Sequence, residues 1–329
     1  MEEQKRLFKI IRKKVSDQFR LADVIEELLD VSSDSAYRRI RGEKELSFSE
    51  LIILSEHFSL SIDEIIKSKS QKGALFQYIA VNLDEQDSYM EYIQRLLSIL
   101  TGLKSAQDKE ILFTAQDIPF YHFLNYTELM FFKLYAWNDT LTQNHVSYRQ
   151  FCNNLDKESI VSIYNQMSTA YSCIPTKEIW TNQTIDTILR LMDYHIETGA
   201  FDRKETALLL LEQLAQLMDC IAKDAERGHK EEDKKTPFSL YLCSVDFENN
   251  FFLTRREGKL ACTIKLYTVN SIATDNEPLC LETQKWVEDL ISKSILISGT
   301  SGKERFRFFQ TSKNKIESLI NKVELSDFF

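Results

Sequence analysis

S-S-D-S-A-Y-R-R-I-R-G-E-K-E, residues Ser32 to Glu45, reads as a short helix with two unlike faces. Ser32 or Ser33 can cap it by accepting a hydrogen bond from a free backbone N–H, and Gly42 can supply the left-handed residue that ends it. These signals predict a helix from about Ser33 to Arg41. At about 3.6 residues per turn, Ala36, Tyr37 and Ile40 share an inner face. Ser33, Asp34, Arg38 and Arg41 share an outer one. One face is made to pack, and the other is left to meet something else.

The flanking residues make this a domain. Upstream, Leu21, Val24, Ile25, Leu28 and Leu29 form an amphipathic helix that stops at Asp30-Val31, where Asp tolerates a left-handed turn better than most residues. Downstream, Ser47 stands three residues before Glu50, a capping box, and Leu51, Leu54 and Phe58 repeat at helical spacing. Ser61 can cap a last helix over Ile62–Ile66. A basic helix over Lys5–Val15 precedes them all, with Leu7, Phe8, Ile11 and Val15 facing inward.

The segment Ile25–Ile65 resembles the helix-turn-helix of lambda-repressor-like (Xre family) regulators, and D-S-A-Y-R-R-I-R-G is closest to the BetR-like branch. Val31-Ser32 stand at the family's turn-ending V-S, and Gly42 at its terminating glycine. Asp30 replaces the usual turn glycine, Glu26 a small alanine, and Leu46 a common proline. The resemblance covers roughly the first fifth of the chain. It implies that Ser33 and Asp34 fall at base-reading positions, with Arg38 one turn further along. Arg38 is the best guanine reader by chemistry, because its planar fork can pair with O6 and N7 together. Asp34 can accept from a cytosine amino group, and Ser33 can touch a base or a phosphate. Arg39, Arg41, Lys44, Lys5, Lys9, Arg12 and Lys13 are expected on the DNA backbone, where they neutralise phosphates and release counterions.

The chain of 329 residues is too long for one ordinary core. Residues 1–72 hold 14 Lys plus Arg against 14 Asp plus Glu, so the remainder carries the whole net charge of −9. An acidic body repels DNA and leaves the local basic surface of the head to dock it. No apolar run is long enough to cross a membrane, and the first residues do not form a secretory signal, so a cytoplasmic protein is expected. Six widely separated cysteines without a C-x-x-C pair predict buried, reduced thiols and no zinc site.

After a polar hinge at Ser68–Gly73, helical periodicity runs from Leu75 to about Ala225, and a charged loop follows at Gly228–Lys235. From Pro237 onward alternation replaces it, with strands over Phe238–Asp246, Asn250–Arg255, Lys259–Val269, Ile295–Ser298 and Arg305–Phe309. The predicted fold is therefore mainly α. A five-helix lambda-repressor-like helix-turn-helix domain occupies residues 1–70, a central all-α domain of helical hairpins 71–230, and an antiparallel α+β domain 231–329.

Other signals are sparse. Gly299–Lys303 lacks the spacing of a phosphate loop, the five histidines lack metal-ligand spacing, and no nucleophile is paired with a base. The aromatic run Phe113–Trp137 can line a small-molecule pocket with His122, Asn125 and Tyr126 as contacts, or simply build a core. The favoured reading is a sequence-specific DNA-binding transcriptional regulator, not an enzyme, without cofactor or metal. Its body serves dimerisation or signal sensing, and its partners are double-stranded DNA, a second copy and a small-molecule or protein effector. The rival is a helical protein-interaction scaffold whose head does not bind DNA.

Overall fold

Two left-handed residues punctuate the N-terminal part of the computed structural model, Asp30 at φ 49° and Gly42 at φ 75°. Between them lies α3 (Ser33–Arg41), preceded by α1 (Glu2–Lys14) and α2 (Leu21–Leu29) and followed by α4 (Phe48–His57). The structure describes residues 2–15, 19–58, 60, 73–82, 86–141, 146–230 and 236–325. The expected helix at Ile62–Ile66 and residues 68–72 of the expected hinge lie outside these. The chain divides into two units, Met1–Leu75 and Phe76–Phe329.

Local chemistry sets the limits of the head helices. The N–H groups of Asp30 and Val31 both donate to Glu26 O, closing α2. Ser32 Oγ accepts from Ser35 N at 3.4 Å and caps α3, while Ser47 and Glu50 form a reciprocal capping box on α4. Leu7, Phe8, Ile11, Ile25, Ala36 and Leu54 pack together as the head core.

The second unit is built on a nine-stranded mixed sheet. In chain order its elements are β1 (Gln77–Ile79), α5 (Gln86–Ser105), β2 (Lys109–Ala115), α6 (Phe120–Phe123), α7 (Thr127–Leu141), α8 (Tyr148–Asn153), α9 (Lys157–Tyr171) and β3 (Thr176–Trp180). Then follow α10 (Asp186–Glu197), α11 (Lys204–Arg227), β4 (His229–Lys230), β5 (Thr236–Cys243), β6 (Phe251–Arg256), β7 (Lys259–Tyr267) and β8 (Asn270–Thr274). The last elements are α12 (Glu277–Ser292), β9 (Ser294–Leu296) and α13 (Gly302–Leu325). The strand order is β1-β8-β7-β6-β2-β3-β5-β4, with β9 also on β5. Strands β2, β3 and β5 run parallel, and β6 returns antiparallel on the other side of β2.

Alternation along these strands sends side chains to two layers. Ile111, Ala115, Trp180, Phe238 and Leu240 enter the large core beneath the helices α5 to α11 and α13. Leu112, Ile179, Leu253 and Cys262 enter a smaller core closed by Cys280, Val287 and Leu290 of α12. A strand covered on both faces loses its alternation, as the consecutive apolar residues Ile111, Leu112 and Phe113 of β2 show.

This architecture overturns the mainly α reading with its all-α centre. The supposed all-α centre contributes β1, β2 and β3 to the same sheet as β5 to β8. Gln77–Ile79, read as helical, pairs antiparallel with β8 from the far end of the unit, an interaction no local pattern reports. Thr176–Trp180, read as the start of a helix, is a central parallel strand. Arg305–Phe309, read as a strand from its R-F-R-F alternation, belongs to α13, where Phe308, Ser312, Ile316, Leu319 and Val323 form one buried stripe. The cysteine expectation also needs amendment: Cys152, Cys243, Cys262 and Cys280 are buried, but Cys173 is half-buried and Cys220 exposed.

Charges buried in the large core are paired. Glu178 on β3 is fully buried, and Oε1 accepts from Tyr171 at 2.7 Å while Oε2 accepts from Trp180 Nε1 at 2.8 Å. His122 Nε2 lies 2.9 and 3.0 Å from the two oxygens. Burial pushes the Glu178 carboxyl up, yet His122, Tyr171 and Lys230 together hold it below the usual carboxylate range. Lys230 donates to Tyr171 O at 3.2 Å and Ile174 O at 3.0 Å, with Nζ 3.3 Å from the centre of the Tyr171 ring. Burial pushes its ammonium down to about 7, against the pull of Glu178 and Asp224. Between pH 7 and the ordinary lysine value the unfolded chain therefore binds the extra proton, and stability rises with pH. Chemical denaturation of the body between pH 7 and 8.5 should show a rise of at most about 1.4 kcal/mol per pH unit. Lys230→Met should remove it.

Candidate nucleic-acid interface

Arg39 ties α3 to α4. Expected on the DNA backbone, Arg39 instead points inward and is only 5% exposed. Its Nη2 and Nε lie 2.5 and 3.1 Å from Glu50 Oε1, and its Nη1 donates to the backbone and hydroxyl oxygens of Ser35. Glu50 Oε2 meanwhile accepts from Ser47 N at 2.8 Å, so one carboxylate caps α4 and anchors α3. Burial pushes the Glu50 carboxyl up, and the bonds from Arg39 and Ser47 more than reverse this. Gln4 of α1 completes the clamp, donating to Arg39 O and Lys44 O at 2.8 and 2.7 Å and accepting from Leu46 N.

With Ala36 and Arg39 buried and Ile40 packed against the head core, the opposite side of α3 faces solvent. Ser33, Asp34, Arg38 and Arg41 are all exposed. Tyr37, expected on the inner face, is 43% exposed and joins them. It sits one turn after Ser33 and one before Arg41, so the Ala36 and Arg39 spacing could have placed it outward. The Arg38 side chain makes no hydrogen bond or ion pair among the described residues. Arg41 pairs with Glu43 at 3.4 Å, an exposed contact worth about 0.5 kcal/mol or less and easily exchanged for a phosphate. Lys44 is exposed, with Nζ 3.4 Å from Ser35 Oγ. Lys5, Lys9, Arg12 and Lys13 line the outside of α1, and Arg12 also donates to Phe19 O at 3.1 Å.

The residues suggested for a ligand pocket do not converge. His122 faces Glu178 inside the core, against Tyr171, Trp180 and Phe238, whereas Asn125 is exposed and Tyr126 half-buried. The aromatic run builds core here. The carboxyl ends of the parallel strands, a common ligand position in such sheets, are occupied by the chain itself. Gln116 N donates to Asn250 Oδ1 at 2.6 Å, Gln116 Nε2 donates to Phe247 O, and Thr184 donates to Ala115 O at 2.6 Å. Asp117 beside them accepts from buried Lys133 at 2.8 Å. Among the described residues no cluster of His, Cys, Asp and Glu could hold a metal, and no helix is long and apolar enough to cross a membrane.

Arg38 and Arg39, adjacent in sequence, should behave oppositely. Arg39→Ala strands the Glu50 carboxylate and should cost the head about 3 kcal/mol in urea denaturation. Arg38→Ala should change stability by about 0.5 kcal/mol or less. Equal losses would contradict the inward placement of Arg39.

Comparison of the chain with protein-family models, with curated proteins and with solved structures returns no match.

Proposed function

We propose that the chain is a sequence-specific DNA-binding transcriptional regulator of the cytoplasm, with α3 of its N-terminal unit as the recognition helix. The observation that carries this reading is the exposed row Ser33, Asp34, Tyr37, Arg38 and Arg41 on a helix held from behind by Arg39 and Glu50. A recognition helix needs both properties. Its base-reading side chains must be free, and its axis must be fixed, because a bidentate contact with guanine tolerates little angular error. Arg38 meets the first need, and the clamp on α3 meets the second.

The roles divide by chemistry. Ser33, Asp34 and Arg38 read base edges from the first turns of α3. Arg41, Lys44, Lys5, Lys9, Arg12 and Lys13 supply the sequence-independent attraction to phosphates. The resemblance of Ile25–Ile65 to Xre-family regulators supports the same assignment. A short three-residue turn between α2 and α3 agrees with it. The acidic second unit dimerises or receives a signal, and two heads then meet half-sites about one DNA turn apart.

Gel-shift titration over a range of salt concentrations tests the division of labour. Arg38→Ala should lose discrimination between the preferred site and random DNA by about 1–3 kcal/mol. Lys13→Ala should weaken every sequence alike and reduce the salt slope by about one counterion. Unchanged binding in both variants would contradict the proposal, and so would an intact chain without measurable DNA affinity.

A further inference from the structure

We infer that the parallel helices α5 and α9 form a self-complementary seam on which a second copy of the chain docks about a two-fold axis. The inference rests on the DNA-binding reading only for its purpose, because the seam belongs to the second unit and can be tested without DNA.

Two open hollows lie along this helix pair. One is lined by Met90 and Gln94 of α5 with Glu158 to Ile163 of α9, the other by Leu97 to Lys104 with Asn165 to Ala170. Early residues of α5 thus face early residues of α9, so the helices run in the same direction and the hollows continue one another. Met90, Gln94, Leu97, Thr101 and Lys104 recur at spacings of four and three, the signature of one straight stripe along a helix. The stripe extends for about 21 Å at about 1.5 Å per residue.

Its chemistry differs from the rest of the surface. In a chain whose residues are 28% charged, Ser159–Tyr171 contains no charged residue, although Ser162, Asn165, Gln166 and Thr169 are exposed. Depletion of charge at the centre of a surface is the mark of an interface core. The exposed side chains there are hydroxyls and amides, each both donor and acceptor, and so able to pair with their own kind.

Charge returns only at the ends of the lining, with opposite sign. Exposed Glu158 stands at the Met90 end and exposed Lys104 at the other. A two-fold axis running across the helices, not along them, reverses their direction in the second copy and brings each Glu158 to the end that carries the partner copy's lysine at position 104. A closed, symmetric contact needs this self-complementarity. A direct translation would instead bring like ends together. A seam this polar makes a reversible dimer and not an obligate one.

Sedimentation of the full chain without DNA, from about 1 to about 100 μM, should show a monomer–dimer equilibrium. Glu158→Lys and Lys104→Glu should each weaken it about tenfold, and the double variant Glu158→Lys/Lys104→Glu should restore it. Gln166→Glu, which sets like charges across the middle, should leave a monomer, with thermal midpoints reporting that each variant is folded. A chain that stays monomeric throughout, or a dimer indifferent to these substitutions, would overturn the seam. A monomer that still binds DNA would sink the seam alone, and a swap-sensitive dimer without DNA affinity would sink the DNA reading alone.

Discussion

The ion pair between Arg39 and Glu50 is the constraint on which the head depends. It takes a charged side chain out of the outer face of α3 and spends it on orientation. The same carboxylate completes the N-terminal box of α4, and Gln4 holds the C-terminal end of α3 against α1. Two helices, α1 and α4, are thereby tied to α3, at 2.5 to 3.1 Å. Breaking a pair of this kind leaves an uncompensated charge inside, which costs more than the pair contributes while intact. The arrangement favours one orientation of α3 above a gain in stability, as an exposed row meant for a partner requires.

The second unit handles buried charge by the same rule on a larger scale. Glu178 is met by donors at both oxygens, Lys230 by two carbonyls and an aromatic face, and Asp117 by Lys133. These groups sit where strands β2, β3 and β5 meet the helical layer, so the polar pairs fix register between sheet and helices. Chain segments fill the ends of the parallel strands, and the aromatic residues of α6 and α7 fill the layer above. What the second unit offers a partner is surface: the face of α9 over Ser159–Tyr171, which carries no charged residue.

Legibility in the sequence followed the range of the interactions. The limits of α3 could be read because Ser32 and Gly42 act within a few residues, and the capping box at Ser47 and Glu50 is equally local. Arg39 was misassigned because its partner is eleven residues away, and an arginine row looks the same whether one member points inward or not. The sheet was hidden for a similar reason. Strand β1 exists only through β8, and β3 carries a glutamate that makes sense only beside His122, Tyr171 and Trp180. In α13, by contrast, two arginines alternating with phenylalanines imitated a strand over five residues, although the buried stripe continues to Val323. The aromatic residues of α6 and α7 were visible, but whether they enclosed a pocket or a core depended on neighbours from distant strands.

Selection of bound sites from a pool of random duplex DNA tests the central claim most directly. The account predicts enrichment of a two-fold symmetric sequence whose half-sites lie about one helical turn apart, with fixed bases where Arg38 and Asp34 reach. Recovery of the pool without any enriched sequence, at salt low enough for the basic surface to hold DNA, would contradict it.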